Sequence, residues 1–125
     1  MHLHHLALRT SDVARSVAFY RDVLGLPVVR EAAERAWLDA GGVVLMVELR
    51  AAGEPSIPAG SMELVAFRVT DEERRAMGER LVALGIAKDG ETAHTLYFRD
   101  PDGRRVGVSS YRFEVARSQP GGQAR

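Results

Sequence analysis

The sequence contains no cysteine, which excludes disulfide bridges, zinc–thiolate sites, iron–sulfur clusters and cysteine nucleophiles. It also lacks a long hydrophobic run, because the longest uncharged apolar stretch, residues 40–47, is far too short to cross a bilayer. The first residues lack the basic, apolar and cleavage regions of a signal peptide. We therefore expect a cytoplasmic protein with no membrane partner, in which any metal ion depends on histidine and carboxylate ligands.

An excess of charge of either sign is missing as well. The 17 basic residues balance the 17 acidic residues, and the formal net charge is zero. A neutral chain lacks the positive surface that nucleic-acid binding requires, so we expect no nucleic-acid partner. Apolar residues make up 46% of the 125 residues, which is enough to bury a core in one domain or in two fused half-domains.

An internal repeat divides the chain. Shifted by 59 positions, residues 5–23 match residues 64–82 at six of 19 positions, where chance gives roughly one. Two of the identical pairs are Ala7 with Ala66 and Arg9 with Arg68. We predict a single domain over residues 1–116, with repeat 1 at about 3–50, a linker at 51–60 and repeat 2 at about 61–111, followed by a flexible tail, 117–125.

Each repeat predicts the element order βαβββ. Period-two alternation at the start of each repeat predicts a strand, and a helical stripe follows that ends at Gly25 or Gly85. Three strands follow each helix: 28–32, 36–40 and 43–49 in the first repeat, and 86–88, 94–99 and 105–111 in the second. The predicted fold class is therefore α+β, built from two βαβββ modules.

Three segments resemble motifs of the vicinal oxygen chelate superfamily. Residues 5–12 (HLALRTSD) and 16–26 (SVAFYRDVLGL) resemble its opening motif, and residues 96–103 (LYFRDPDG) resemble its closing motif. The superfamily contains glyoxalase I, bleomycin- and fosfomycin-resistance proteins, extradiol dioxygenases and methylmalonyl-CoA epimerase. The resemblance implies a cupped mixed sheet of the glyoxalase/bleomycin resistance/dihydroxybiphenyl dioxygenase-like fold, a homodimer, and a cavity that holds a divalent metal in the enzymes.

The metal-ligand positions that the resemblance implies are only partly retained. His5 matches the first ligand and Glu48 lies where a second can stand, but Leu64 and Gly107 replace the usual histidine and glutamate of the second repeat. The 59-residue offset also relates Glu48 to Gly107, so the first repeat keeps a histidine and a carboxylate. This pair suits Zn, Ni, Mn or Fe. Because catalytic metals normally have three protein ligands, we expect a weakly held divalent metal or none.

Other interpretations of these residues stay open. A third ligand could come from His2, His4 or His94. His5 could instead be a hydrogen-bonded residue of a cavity wall. A carboxylate inside an apolar strand is normally paired, so Glu48 could be bound to His5 or to an arginine.

The remaining side chains of the predicted cavity wall favour a small-molecule site. An apolar cleft with a few polar anchors is typical of such sites. Arg68 could bind an anionic ligand through two hydrogen bonds, or could pair with Glu48 or another carboxylate. Strand alternation and the resemblance together predict five ligand-binding residues: Trp37, Met46, Arg68, Tyr97 and Ser109.

Three functions fit this sequence, and none identifies a catalytic residue. The first is metal-independent binding of a small hydrophobic or aromatic compound, as in bleomycin-resistance proteins. The second is a divalent-metal-dependent enzyme that uses His5 and Glu48, either a glyoxalase-like lyase or isomerase or a ring-cleavage dioxygenase. The third is a non-enzymatic interaction subunit.

Overall fold

Two modules with the same order of elements follow one another in the computed structural model, which describes residues 1–113. Module 1 consists of β1 (His5–Thr10), α1 (Val13–Ala18), a π-helical turn (Phe19–Val23), β2 (Val28–Ala32), β3 (Arg35–Asp39) and β4 (Val44–Leu49). Module 2 consists of β5 (Leu64–Arg68), α2 (Asp71–Leu84), β6 (Gly90–Glu91), β7 (Thr95–Arg99) and β8 (Arg105–Ser109). The predicted pair of βαβββ modules is confirmed.

Each module forms its own four-stranded mixed sheet. Sheet 1 has the order β1-β4-β3-β2 and sheet 2 the order β5-β8-β7-β6. The first strand of each module pairs in parallel with the last, and the other neighbours are antiparallel. Within the described residues, β1 and β5 each pair on one side only, so each sheet ends in a free edge strand.

The helix boundaries follow from local chemistry. The Asp12 side chain accepts a hydrogen bond from the Arg15 N–H at the start of α1, and Thr70 and Glu73 form the predicted capping box of α2. Gly85 ends α2 with a φ of 71°, a left-handed conformation that glycine adopts without steric cost. None of the helices within residues 1–113 is long and apolar enough to span a membrane.

Two predicted strand positions in module 2 require correction. The strand predicted at residues 86–88 lies instead at Gly90–Glu91, where it pairs with β7. The last strand ends at Ser109 rather than at residue 111. The predicted tail, 117–125, lies outside the described residues.

One hydrophobic core joins the two modules. Each helix packs on one face of its own sheet, and the buried residues of both modules form a single cluster. Phe19 of module 1 packs against Phe98 of module 2, with their ring centroids 6.0 Å apart. The helices leave the opposite side of each sheet uncovered, and we call this side the open face.

The turn between β7 and β8 anchors module 2 to module 1. The Tyr20 hydroxyl donates to Asp100 Oδ2 over 2.6 Å, and Arg104 Nη1 donates to the same oxygen over 2.7 Å. Burial raises the pKa of the Tyr20 hydroxyl above its usual range, and the Asp100 charge acts in the same direction. Asp102 accepts hydrogen bonds from the Ser11 N–H and the Ser16 hydroxyl. These two aspartates are therefore structural.

Candidate functional site

The strand registers arrange the side chains of each open face in three rows. On sheet 1 the first row is His5, Val44 and Asp39, the middle row is Ala7, Met46 and Trp37, and the last row is Arg9, Glu48 and Arg35. On sheet 2 the first row is Leu64, Arg105 and Arg99, the middle row is Ala66, Gly107 and Tyr97, and the last row is Arg68, Ser109 and Thr95. All five predicted ligand-binding residues lie on open faces, three of them on sheet 2.

The rows correct the equivalence between the two repeats. His5 and Leu64 correspond at the predicted offset of 59, but the last strands correspond at an offset of 61, because Met46 and Gly107 share the middle row. One extra residue of module 2 precedes β7, and another lies in the turn before β8. Glu48 therefore corresponds to Ser109, and the predicted relation of Glu48 to Gly107 is wrong.

The structure separates the two predicted metal ligands. His5 lies opposite Val44, whereas Glu48 lies four residues further along β4, opposite Arg9. Four residues of a strand span about 13 Å, so His5 and Glu48 of one chain cannot bind the same ion.

Both side chains already have neighbours. The Arg9 Nη1 donates to Glu48 Oε1 over 3.2 Å, and the Arg35 Nη1 lies 3.9 Å from the other carboxylate oxygen. The His5 Nδ1 lies 2.8 Å from the Nδ1 of His4. Over residues 1–113, no three histidine, aspartate or glutamate side chains gather as a metal site. The donor set therefore does not fit a divalent metal within one chain.

Leu64 and Gly107, which stand where the resemblance implies two metal ligands, are neighbours on sheet 2. A Cβ atom built on Gly107 would lie 3.4 Å from the Leu64 side chain, and also 3.4 Å from those of Thr95 and Tyr97. The two ligand positions that the resemblance implies in module 2 are thus close together. However, neither side chain present offers a lone pair.

An aromatic ring lies in the middle row of each open face. Trp37 and Tyr97 occupy corresponding strands, β3 and β7, and both are half-buried. The Arg30 guanidinium lies 5.0 Å from the Trp37 ring centroid, and the Arg105 guanidinium lies 3.9 Å from that of Tyr97. These cation–π contacts hold each ring in place, and each guanidinium covers one face of its ring.

Ion pairs neutralise the last row of sheet 1. Arg9 donates from Nε and Nη2 to Glu54 of the linker, over 3.0 Å and 2.8 Å, and from Nη1 to Glu48. The hydrogen bond from Arg9, with a second from the Ala51 N–H, lowers the pKa of Glu54 to about 2. The sequence does not predict this contact of Glu54. Glu54 lies in the linker, 45 positions away from Arg9, and no local pattern relates the two residues.

Sheet 2 carries more positive charge. Asp89 lies 2.9 Å from both the Arg99 and the Arg105 guanidinium, and these contacts lower the pKa of the Asp89 carboxyl below its usual range, with the Arg105 hydrogen bond as the largest cause. In the last row, the Ser109 and Thr95 hydroxyls lie 2.7 Å apart. Arg68 is exposed and makes no ion pair with any carboxylate of residues 1–113.

Comparison with known proteins identifies one protein family and several relatives in sequence. The family model described as Glyoxalase/Bleomycin resistance protein/Dioxygenase superfamily matches residues 2–108. The chain is 28% identical over 113 residues to a metallothiol transferase FosB of Lysinibacillus sphaericus, covering 82% of this chain and 77% of the relative. It is 29% identical over 126 residues to a glutathione transferase FosA of Serratia marcescens, covering 94% and 89%.

Solved structures share the fold. A lactoylglutathione lyase from Agrobacterium tumefaciens superposes with a TM-score of 0.71 at 26% identity, over 86% of this chain and 92% of that one. A mutant of the fosfomycin resistance protein FosX from Listeria monocytogenes, complexed with Mn(II) and 1S,2S-dihydroxypropylphosphonic acid, gives a TM-score of 0.78 at 19% identity, over 90% and 94%. The FosX likeness supports the fold alone.

Proposed function

Because the chain belongs to the glyoxalase/bleomycin resistance protein/dioxygenase superfamily, we propose that it binds a small hydrophobic or aromatic molecule on its open faces, without a metal. One scaffold carries many activities in such families, so the residues of the site must support the choice. The FosX relative was crystallised with Mn(II), but the donor set of this chain does not fit a metal.

The observation that carries this proposal is the composition of the two middle rows. Trp37 and Tyr97 offer aromatic surface, and the exposed Ala66 adds a small side chain to the row of Tyr97. An aromatic ligand can therefore pack on the edge or on the uncovered face of an aromatic side chain. Met46, next to Trp37, adds a flexible apolar contact.

We propose further that the binding cavity is completed in a homodimer. The sheets of one chain are not joined, and β1 and β5 leave free edges within the described residues. Near these edges, Leu3 and Leu64 are exposed, and Leu6, Val65 and Phe67 line a cleft of about 500 Å³ between the modules. A second copy that covered this apolar surface would place sheet 1 of one chain opposite sheet 2 of its partner.

Calorimetric titration of the full chain with the methyl ester of para-biphenylcarboxylic acid tests the binding proposal. We expect saturable binding that Trp37→Ala and Tyr97→Ala each weaken about tenfold, because an aromatic contact and its buried area are lost. Val82→Ala, on the exposed side of α2, removes apolar surface away from the open faces and should leave binding unchanged.

Two results would contradict the proposal. Stoichiometric metal in the purified protein, lost in His5→Ala, would favour the metalloenzyme instead. An absence of binding by both the ester and its parent carboxylate would favour the interaction subunit. Sedimentation of the wild-type chain tests the dimer separately, and a monomer at all concentrations would overturn that part.

A further inference from the structure

We propose that Arg68 binds an anionic group of the ligand, so that the site takes an aromatic carboxylate rather than a neutral aromatic compound. This inference rests on the proposed function, because it assigns the polar end of the ligand whose ring lies against the middle row. It follows from the charge pairing of the open faces, from the groups beside Arg68, and from the corresponding arginine of module 1.

The first observation is that the other arginines of the rows are neutralised. Arg9 and Arg35 contact Glu48 on sheet 1, and Arg9 also binds Glu54. On sheet 2, Arg99 and Arg105 share Asp89. Arg68 is the row arginine whose guanidinium has no carboxylate partner within residues 1–113.

The second observation is that the other two residues of the Arg68 row carry hydroxyl groups. Asp71 and Glu73 line a surface cleft together with Arg68 but make no ion pair with it. Ser109 and Thr95 complete its row, and one of their hydroxyls donates to the other. The Ser109 oxygen also accepts from the Tyr111 N–H. The remaining hydroxyl hydrogen is therefore available to a ligand, and a guanidinium beside a donor hydroxyl favours an acceptor with negative charge.

The third observation is the internal precedent at Arg9. Arg9 and Arg68 hold the same row position in their modules, at the predicted offset of 59. In module 1 a carboxylate already occupies this position, because Glu54 accepts hydrogen bonds from Nε and Nη2 of Arg9. The described part of module 2 supplies no such carboxylate, which leaves the same geometry for one carried by a ligand.

The spacing of the rows limits the shape of the ligand. Tyr97 lies in the middle row of β7 and Arg68 in the last row of β5, so one row (about 7 Å) and two strand spacings (about 10 Å) place their Cα atoms about 12 Å apart. The long arginine side chain spans part of this distance. A ligand that stacks on Tyr97 and reaches Arg68 therefore needs its carboxylate about one ring length away from the stacked ring. Para-biphenylcarboxylate has this shape, and its methyl ester is a matched neutral probe.

Calorimetric titration of the full chain with both probes tests the proposal. We expect the wild type to bind the carboxylate more tightly than the ester. Arg68→Ala should weaken the carboxylate about tenfold to a hundredfold, because hydrogen bonds to a charged group are lost, and should change ester binding by no more than about twofold. Arg68→Lys should recover part of the loss, since lysine keeps the charge but not the paired geometry.

Arg75→Ala is the matched control. Arg75 is exposed on α2, which packs on the covered side of sheet 2, so its removal changes the net charge equally without touching the open face. If Arg68→Ala leaves carboxylate binding unchanged, or weakens both probes equally, Arg68 is not the anion site, although binding of the ester still supports the proposed function. If the wild type binds neither probe, the proposed function fails and this inference fails with it.

Discussion

Arg9 and Arg68 hold the same position in two copies of one module, yet their surroundings differ. Arg9 lies between two carboxylates, whereas Arg68 is exposed, shares its row with Ser109 and Thr95, and makes no ion pair with a carboxylate of residues 1–113. The same divergence appears at His5 and Leu64, where one module keeps a polar side chain and the other does not. In contrast, the covered faces of both sheets contribute alike to one core.

This difference shows where the duplicated module was free to change. Core residues must fill a shared interior at close packing, so their chemistry stays apolar in both modules. Open-face residues meet no helix, and each module could therefore acquire its own charges. Module 1 neutralises its last row with its own carboxylates, while module 2 supplies no carboxylate to Arg68 from the residues that the structure describes.

Asp100→Ala tests the largest structural difference between the modules, which lies in the turn before the last strand. Asp100 is fully buried and accepts hydrogen bonds from Tyr20 and Arg104. Its removal leaves the Arg104 charge without its buried partner, so we expect the free energy of unfolding to fall by about 3–5 kcal/mol in urea titrations.

Asp39→Ala, in the corresponding turn of module 1, is the comparison variant. Asp39 accepts only from the exposed N–H groups of Gly41 and Gly42, so its loss should cost about 1 kcal/mol. Equal losses in the two variants would show that the β7–β8 turn does not anchor the modules.

The double variant Leu64→His/Gly107→Glu tests whether the side chains at these two positions alone decide whether module 2 binds a metal. The two positions are adjacent, and a side chain at 107 meets its neighbours at 3.4 Å, which the replacement of Leu64 partly relieves. We expect the variant to gain stoichiometric binding of Mn or Zn, measured by calorimetry, at least about a hundredfold tighter than the wild type.

Gly107→Glu alone is the control, since it adds one ligand without the histidine and should bind much more weakly. Adding His5→Ala to the double variant should reduce the gained affinity, because His5 matches the first metal-ligand position that the resemblance implies. Metal binding by the wild type as tight as by the double variant would contradict our interpretation of Leu64 and Gly107.

Glu54→Gln removes one of the two carboxylates that pair with Arg9 and so makes its surroundings more like those of Arg68. Of these variants, it should have the smallest effect on stability. Because the folded state lowers the pKa of Glu54 from 4.5 to about 2, its contribution to stability is present above pH 4.5 and is lost as the pH falls toward about 2. We expect the melting temperature of the wild type to fall more than that of Glu54→Gln over this pH window. The control is Glu79→Gln, at an exposed position of α2. Its melting temperature should depend on pH in the same way as that of the wild type.

The sequence was sufficient for the modules because their signals are local. Alternating strands, the Thr70 capping box and the helix-ending Gly85 each depend on a few neighbouring residues. The short β6 lies at Gly90–Glu91 and not at its predicted position, because a two-residue strand is defined by its pairing with β7 rather than by its own composition.

The site was predicted less completely because it depends on register. Alternation placed Trp37, Met46, Arg68, Tyr97 and Ser109 on the open faces, but it could not show that Glu48 lies four residues beyond the row of His5. One added residue in the β7–β8 turn changes the equivalence of the last strands. No sequence pattern predicts that Glu54 pairs with Arg9.

The hydrogen bond from Tyr20 to Asp100 joins residues 80 positions apart in the chain. Such a contact forms only after a long loop has closed, and its formation therefore depends on the entropy of the whole intervening segment. During synthesis, all of module 1 is made well before the β7–β8 turn. Tyr20 can therefore bind Asp100 only after module 2 has been made. The two repeats are consequently separate in sequence but should fold and unfold as one cooperative unit.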